Sequence, residues 1–467
     1  MRRAIFFVFL FVSCTNVSNN SNKKEELLQK LRSADRYEEA FIGVAADKSE
    51  LYNDACELMN LCSDRELLKL LKDKSPVVKC YAASFVEDKN IKANWYNILL
   101  KETEDYSKIK QLSGCFCSED YTGDLMLDFL FNKKLTEAEQ NKMKLAMVKK
   151  QSRLNFAKSI LLGEEMSGEL YAAEREWALR GSPIAIFSLA KYKKDEDLDL
   201  MESLKLMNLD LFFKACQYNP RDSLKPFLKK YMLSIMPKEY FYSEWADFYK
   251  LVSAYHDSFT KEIFDMAFSG EVNPKIQRYH LEYIYDAIEN CFDGFYDDYL
   301  KILWAKHNLV DKEIIDYFLL SDKESALEAL KESLRNPAGY RCIFYFDDHP
   351  LDYMIKAAYK NKIDLTQYFV KAIKEYPISS EFEIYMNNMD CVQAGSKEIV
   401  DAMKTRLENE TNPHVAFPLC ERLILLNDKS VNNFLVSLYE KNKDLYARYA
   451  SGKYKSVWES LRLLKGR

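Results

Sequence analysis

The segment LLKLLKDKSPVVKCYAASFV, residues 67–86, decides the fold class of this chain. Its leucines at positions 67, 68, 70 and 71 recur at the three- and four-residue spacing that places side chains on one face of a helix. Ser75-Pro76 follows as a helix start, because serine caps the free N–H groups of a first turn and proline fits the first helical position. The segment therefore predicts two helices joined by a short turn.

Two windows resemble the helix pairs of known repeat families. Residues 64–87, with the small pair Ala82-Ala83 in the second helix, resemble a HEAT repeat. Residues 170–192, with Trp177-Ala178 and Leu189-Ala190, resemble a helix pair of the Sel1 or tetratricopeptide kind. These resemblances imply an all-α fold, a right-handed superhelical array of antiparallel helix pairs (an α-solenoid), in which stacking covers the apolar face that a lone pair leaves bare.

Proline marks further helix starts along the chain. Serine or asparagine precedes several prolines, and both residues are good helix caps. We therefore expect helices to begin at Pro76, Pro183, Pro220, Pro274, Pro337 and Pro413. A basic amphipathic helix is expected from Lys453 to Arg467, where it would cap the array, with contact to a membrane or an acidic partner as the alternative role.

The composition also favours helices. The chain has 467 residues with only 12 Gly and 11 Pro, whereas average usage is roughly 7% Gly and 5% Pro. Folds with many hairpins or phosphate-binding loops need more glycine, because glycine supplies positive φ and close backbone approach. Strand alternation extends over no more than a few residues, and the best strand candidate, Ile343 to Phe346, is explained equally well by a buried helix.

The amino terminus has the three parts of an export signal in order. Arg2-Arg3 is followed by the apolar run from Ala4 to Val12 and then by Ser13-Cys14. The run is far shorter than the ~20 residues of a membrane-spanning helix. A small residue before a cysteine at this distance from the start resembles the lipobox of bacterial lipoproteins. The resemblance implies that residues 1–13 are a signal peptide and that Cys14 carries palmitate-type acyl chains. An ordinary cleaved secretory signal, or a terminus that is not processed at all, are the alternatives.

Two segments follow the signal. Residues 14–22 are nearly all Asn, Ser and Thr, which cannot bury enough apolar surface to fold, and they are predicted to be a flexible tether. Residues 23–467 are predicted to form the helical-repeat domain.

The charge pattern argues against a nucleic-acid partner. The net charge is −5, with 67 basic and 72 acidic residues of both signs mixed along the chain, whereas a nucleic-acid-binding protein usually shows a basic excess or patch. The 11 cysteines do not form an evenly spaced disulfide framework, and the sequence leaves open whether one or two disulfide bonds form. Cys115 and Cys117 are separated by one residue, too few for common zinc or redox motifs.

The sequence predicts no catalytic, cofactor-binding or metal-binding residue. Gly163 and Gly168 have the spacing of a phosphate-binding loop, but Glu169-Leu170 stands where lysine and a hydroxyl are needed. No two of the 5 histidines pair at metal-ligand spacing. The polar cluster Asp347-Asp348-His349 is interpreted as a helix-capping loop, with a metal or acid–base site as the alternative.

These observations predict a membrane-tethered binding or scaffolding module of the bacterial cell envelope, anchored by lipid on the outer membrane and facing the periplasm. Its expected partner is an unidentified envelope protein or peptide, with membrane contact through the lipid anchor only. Carboxylate pairs such as Asp297-Asp298, and Glu102 with Glu104, leave open a helical-toroid glycoside hydrolase or lyase. A second alternative is an inhibitor or immunity-type protein that neutralises another protein.

Overall fold

The computed structural model describes residues 21–335, 349–377, 380–447 and 455–465. Within these ranges the chain is mostly helical, with 26 helices and one small sheet, which confirms the predicted helical class. The chain divides into two compact units, unit 1 (Met1–Asp222) and unit 2 (Ser223–Arg467).

Among the described residues of unit 1 a helix comes first, and the strands follow it between Arg36 and Tyr121. Two 3-10 helices, Ala190–Tyr192 and Asp195–Asp197, separate two of its later α-helices. The described elements are α1 (residues 21–33), β1 (Arg36–Ile42), β2 (Asp47–Lys48), α2 (Glu50–Leu61), α3 (Asp64–Leu70), α4 (Pro76–Val86), α5 (Trp95–Glu102), β3 (Lys108–Gly114), β4 (Phe116–Tyr121), α6 (Thr122–Lys134), α7 (Glu137–Lys149), α8 (Asn155–Leu162), α9 (Gly168–Leu179), α10 (Pro183–Leu189), α11 (Leu198–Met207) and α12 (Leu209–Gln217).

Unit 2 is helical throughout its described residues. A 3-10 helix, Asp222–Leu224, leads into it, and another, Met389–Cys391, follows its tenth helix. The elements are α13 (Lys225–Ile235), α14 (Glu244–Ser253), α15 (Ser258–Phe268), α16 (Gln277–Ile288), α17 (Asp297–His307), α18 (Lys312–Ser321), α19 (Lys323–Arg335), α20 (Pro350–Lys360), α21 (Thr366–Glu375), α22 (Ser380–Asn387), α23 (Lys397–Asn409), α24 (Pro413–Leu425), α25 (Lys429–Ala447) and α26 (Lys455–Lys465).

The prediction that helices begin at the prolines after Ser or Asn is right at three positions and wrong at two. α4, α10 and α24 begin at Pro76, Pro183 and Pro413, as predicted. Pro220 and Pro274 instead lie in the turns before α13 and α16, because an asparagine followed by proline suits a turn as well as a helix start. Pro337 lies outside the described residues.

Both repeat-like windows are helix pairs. α3 and α4 occupy residues 64–86, and α9 and α10 lie within residues 168–189. Val78, Ala82 and Ala83 are fully buried, and α4 packs against α2, α3 and α6. The small side chains therefore lie where helices approach closely, as the sequence pattern predicts.

A four-stranded sheet in unit 1 corrects the expectation that the chain has no strands. Its order is β2-β1-β3-β4, with β1 parallel to β3 and the other two pairs antiparallel. Tyr37 of β1 and Ile109 of β3 are buried on one face, but the same strands carry exposed Arg36, Lys108 and Lys110. Strands this short and this charged leave too little alternation to be recognised. The strand candidate Ile343 to Phe346 lies outside the described residues.

A buried ion cluster holds the corner between α4, α5 and β3. The ammonium group of Lys79 lies 2.5 Å from Oε2 of Glu102 and 2.6 Å from Oδ2 of Asp105, and it pairs with both carboxylates. The first residues of α6 cross this corner so closely that a Cβ on Gly123 would lie 2.3 Å from the carbonyl oxygen of Glu102. Charge pairing and close backbone packing therefore meet at one place, next to the β3–β4 hairpin.

Several helices of unit 2 pack against the helix that lies two positions further along the chain. α14 packs on α16, α17 on α19, and α21 on α23. The final helix, α26, covers most of the predicted stretch 453–467 and packs on α24 and α25 through buried Val457 and Leu461. Its apolar side is thus turned to its neighbours.

Candidate functional site

Four aromatic side chains form an exposed surface on unit 2. Tyr240, Phe241 and Tyr242 lie in the loop between α13 and α14, and Tyr279 lies in the first turn of α16. Tyr240 is 75% exposed and Phe241 49% exposed. The rings of Phe241 and Tyr279 stack with centroids 4.3 Å apart and an interplanar angle of 23°. We call these four residues the aromatic surface.

The aromatic surface rests on a buried stack of rings. Tyr242 contacts Trp245 at a centroid distance of 5.9 Å. Trp245 stacks on His280 at 4.3 Å and 16°, and both side chains are fully buried. The hydroxyl of Tyr249 lies 2.7 Å from Nδ1 of His280 and fixes the orientation of the imidazole ring. Successive layers from solvent to core therefore hold the exposed rings in place.

His280 is a neutral member of this stack. Burial lowers the pKa of its imidazole from 6.5 to about 4. Its Nε2 has no hydrogen-bonding partner among the described residues, so a proton added there would meet no acceptor. Because the pKa of the folded state lies below that of the unfolded state, protonation opposes folding only as the pH falls from about 6.5 towards 4. The stack therefore keeps one protonation state at neutral pH.

The loop that carries the three consecutive aromatic residues is tied to the segment before α16. The backbone N–H of Asn273 donates to the carbonyl of Met236 at 3.0 Å, and Lys275 pairs with Glu239 at 3.3 Å. Both contacts lie close in sequence to members of the aromatic surface. The loop and the start of α16 therefore form one connected region.

Other exposed apolar side chains do not indicate a binding site. Leu206 in unit 1 is 96% exposed and Leu320 in unit 2 is 89% exposed, but single exposed apolar residues are normal on protein surfaces. Adjacent exposed rings, two of them stacked, leave apolar area in contact with water that a partner could cover. The aromatic surface is therefore the strongest candidate for a binding site.

A buried polar cluster in unit 1 is the strongest candidate for a catalytic site among the described side chains. The carboxylate of Glu174 is buried beside the hydroxyls of Ser188 and Tyr192, and interaction with these hydroxyls offsets part of the effect of burial on its pKa. Nearby, the ammonium group of Lys191 donates to the carbonyls of Leu161 at 3.0 Å and Gly163 at 2.6 Å. Burial raises the pKa of Glu174 and lowers that of Lys191. Glu174 has no exposed area, so the cluster cannot meet a substrate as the structure stands.

The carboxylate pairs that the sequence suggested do not act as pairs in the structure, because each carboxylate has its own surroundings. Glu102 is buried against Lys79, while Glu104 lies at the surface and pairs with Lys150 at 2.9 Å. Asp297 and Asp298 lie in the first turn of α17, where Asp297 accepts a hydrogen bond from Tyr317. Neither pair is assembled into a cleft.

Three residues that the sequence pattern indicated lie outside the part of the chain that the structure describes. These are Cys14, the predicted lipidation site, and Asp347-Asp348. His349 is placed: it caps α20, with its Nδ1 accepting from the N–H of Leu351 at 3.2 Å.

Cysteine and metal chemistry can be assessed over the described ranges. The described cysteines are free thiols, with Cys80, Cys216 and Cys420 buried, and Cys115 and Cys117 exposed at the β3–β4 turn. The described residues contain no group of three or more His, Cys, Asp or Glu side chains arranged to hold a metal ion.

The aromatic surface is not among the residues that the sequence pattern indicated. A signal was available, because Tyr240-Phe241-Tyr242 is a run of three aromatic residues after Pro237, outside any helical pattern. The pairing of Phe241 with Tyr279 was not readable from the sequence, because 37 residues lie between them and the path of those residues is decided only by the fold.

Among the described helices, none combines the length and apolar content needed to cross a membrane. No protein-family model, curated protein or solved structure matches this chain.

Proposed function

We propose that this chain is a membrane-tethered binding module of the bacterial cell envelope that holds another protein or a peptide through the aromatic surface of unit 2. The observation that carries the proposal is the exposed Phe241–Tyr279 stack on a rigid, buried layer of rings. The proposal includes no catalytic, cofactor or metal chemistry.

The residue types of the aromatic surface favour a polypeptide partner. Tyrosine and phenylalanine are enriched in the buried centres of protein interfaces, where a few large side chains carry most of the binding energy. Rings that are already ordered lose little conformational freedom on binding. The contacts of Tyr242 with Trp245 and of Phe241 with Tyr279 provide such order.

We propose that stacked helix pairs form the scaffold for this surface, as a right-handed superhelical array of the HEAT or tetratricopeptide kind. Packing of α14 on α16 and of α17 on α19 supports this, because each helix in such an array contacts its counterpart in the next pair. The aromatic surface uses the first of these contacts, since Trp245 lies on α14 and His280 on α16.

The tether is the part of the proposal that rests on sequence alone. We propose that lipid on Cys14 anchors the chain to the outer membrane on its periplasmic side, with residues 14–22 as the linker. Two or three acyl chains give stable anchoring where one does not. Confinement near the membrane would raise the effective concentration of the aromatic surface for envelope partners.

Binding is tested by placing a photo-crosslinking amino acid at Phe241 of the full chain in living cells. We expect crosslinks from this position to one or a few envelope proteins, because a partner that covers the aromatic surface lies against the Phe241 ring. With the purified partner, Phe241→Ala and Tyr279→Ala should each weaken the Kd by about tenfold or more, the equivalent of about 1.4 kcal/mol.

Leu320 provides the matched control, since it is apolar, more exposed than Phe241 and in the same unit. Leu320→Ala should leave the Kd unchanged, and a photo-crosslinker at Leu320 should give no such product. Equal crosslinking from both positions, or crosslinks only to glycan, would refute the proposed surface. Reproducible hydrolysis of a polysaccharide that disappears on replacing one carboxylate pair would support the enzyme alternative instead.

The tether is tested by Cys14→Ala in cells. The variant should leave the membrane fraction and lose metabolic labelling with palmitate, because the thiol that carries the acyl chains is gone. Cys115→Ala removes an exposed thiol elsewhere and should change neither result. A Cys14→Ala protein that still fractionates and labels like the parent would show that the chain is not a lipoprotein.

A further inference from the structure

The outer edge of β4 in unit 1 is open. β4 ends the sheet order β2-β1-β3-β4 and pairs only with β3 within that sheet. The strand residues Phe116 to Glu119 are all exposed, and Phe116 is 76% exposed. An exposed strand edge is a template for pairing with another extended chain.

The register identifies the backbone groups that point outward. Ser113 pairs with Phe116 across the two-residue turn, and Thr122 donates to the carbonyl of Ser107 at 2.7 Å. Hydrogen-bonded pairs alternate along an antiparallel ladder, so the even-numbered residues of β4 bond to β3. The N–H and C=O groups of Cys117 and Glu119 therefore point away from the sheet, and they have no partner among the described residues.

Negative charge lies near the end of this edge. Asp120 of β4 is followed by Asp124 and Asp128 on α6. Asp124 is buried and accepts hydrogen bonds from the N–H groups of Asn155 and Phe156, whereas Asp120 and Asp128 form no ion pair with a described residue. Partial burial, and then repulsion by Asp124 and Asp120, raises the pKa of Asp128 to about 6. A positively charged side chain placed here would be stabilised by the carboxylates of Asp120 and Asp128.

We propose that the open edge of β4 binds an extended segment of another protein as an additional antiparallel strand, with a lysine or arginine opposite Asp120 and an aromatic or β-branched residue opposite Phe116. Cross-strand neighbours have Cβ atoms about 4.5–5.5 Å apart, close enough for an ion pair and for ring packing. Asp120 and Phe116 are four residues apart on the same face of the strand. The preferred segment therefore carries its basic residue four positions before its apolar residue.

A second copy of the chain is the less favourable occupant. β4 reads FCSEDY and contains no lysine or arginine, so β4 of another copy has no cation to place opposite Asp120. It would also bring a second set of the same carboxylates. The β4 proposal concerns unit 1 and does not depend on the aromatic surface of unit 2.

The experiment measures binding of labelled seven-residue peptides to the detergent-solubilised full chain by fluorescence anisotropy. The probe peptide has lysine at position 2, phenylalanine at position 6 and threonine or valine elsewhere; in a matched peptide glutamate replaces the lysine. We expect the lysine peptide to bind at least tenfold more tightly than the glutamate peptide. Asp120→Lys should reverse this preference by exchanging the charge that the peptide meets.

A backbone variant separates strand pairing from simple charge attraction. Cys117→Pro removes one outward N–H without removing a bond to β3, because proline is tolerated where a strand's N–H faces solvent. It should abolish binding of both peptides, while Cys117→Ala should bind like the parent. Methylating the peptide's own backbone nitrogens on the pairing side should have the same effect as Cys117→Pro, and this tests the pairing even if that variant does not fold.

Three results would overturn the inference. One is binding of the lysine peptide that survives backbone methylation, because attraction alone would then explain it. Another is an unchanged peptide preference in Asp120→Lys, or no binding of the lysine peptide at millimolar concentration. The third is a dimer of the chain in analytical ultracentrifugation that Cys117→Pro converts to monomer, which would assign the edge to a second copy.

Discussion

Replacing Lys79 with methionine is expected to lower the free energy of unfolding of unit 1 by about 3–5 kcal/mol, the usual cost of removing one partner from a buried ion pair. Lys79 is buried, and its ammonium group neutralises the carboxylates of Glu102 and Asp105 at 2.5 and 2.6 Å. Methionine fills a similar volume but leaves both carboxylates without a cation. Chemical denaturation of the parent and the variant, followed by circular dichroism, measures the difference.

The pH dependence of this loss provides a second measurement. Burial already raises the pKa of Glu102, and the pairing with Lys79 opposes that rise. Without the lysine, the pKa in the folded state rises further above that of the unfolded state, so the folded variant gains stability as the pH falls. We therefore expect the difference in free energy of unfolding between the parent and Lys79→Met to become smaller at acidic pH.

Lys108→Met is the control, because Lys108 pairs with Glu119 at an exposed site where an ion pair contributes little. It should unfold like the parent. Equal stability of Lys79→Met and the parent at neutral pH would mean that the Lys79 cluster is not buried as described.

Gly123→Ala is expected to destabilise unit 1 by about 3 kcal/mol, at the upper end of the usual cost of overpacking. A Cβ at this position would lie 2.3 Å from the carbonyl oxygen of Glu102 and 2.9 Å from that of Asp105. Both are backbone atoms, so α6 would have to move away from the end of α5. The melting temperature should fall by about 6–12 °C if each kcal/mol shifts it by 2–4 °C.

Gly168 is the matched control, because it also lies in the first turn of a helix and a Cβ there would meet nothing within 4 Å. Gly168→Ala should leave the stability unchanged or raise it by up to about 1 kcal/mol, since alanine has less freedom to lose on folding. Similar melting temperatures for the two alanine variants would contradict the close approach of α6 to α5.

The two large effects concern the same corner of unit 1, and that corner positions the edge of β4. Asp105, which pairs with Lys79, also accepts a hydrogen bond from the N–H of Ser107 at 3.0 Å, immediately before β3. Gly123 immediately follows the first residue of α6, and its N–H donates to the carbonyl of Asp105 at 3.1 Å. Hydrogen exchange on β4 should therefore accelerate in both destabilised variants.

The candidate sites were only partly accessible to sequence reasoning. The run Tyr240-Phe241-Tyr242 is visible in the sequence. Its role as a binding surface, however, depends on Tyr279 and on the buried His280 beneath it. Likewise, Asp120 and Phe116 can be read as alternating residues, yet only the sheet order places them on an open edge. A binding surface is made of residues that are distant in sequence, so their proximity is decided by packing.

The sequence by itself determined the helical class and three of the helix starts of this protein. The leucine spacing before Ser75-Pro76 and the small residues after it are local signals, because helix periodicity and capping act within a few residues. The tertiary structure alone decided the sheet, whose central pairing joins β1 to β3 across more than 60 residues. It also decided the burial of Lys79, a residue that ordinarily faces water, because two carboxylates from later in the chain neutralise it only once α4, α5 and β3 have packed together.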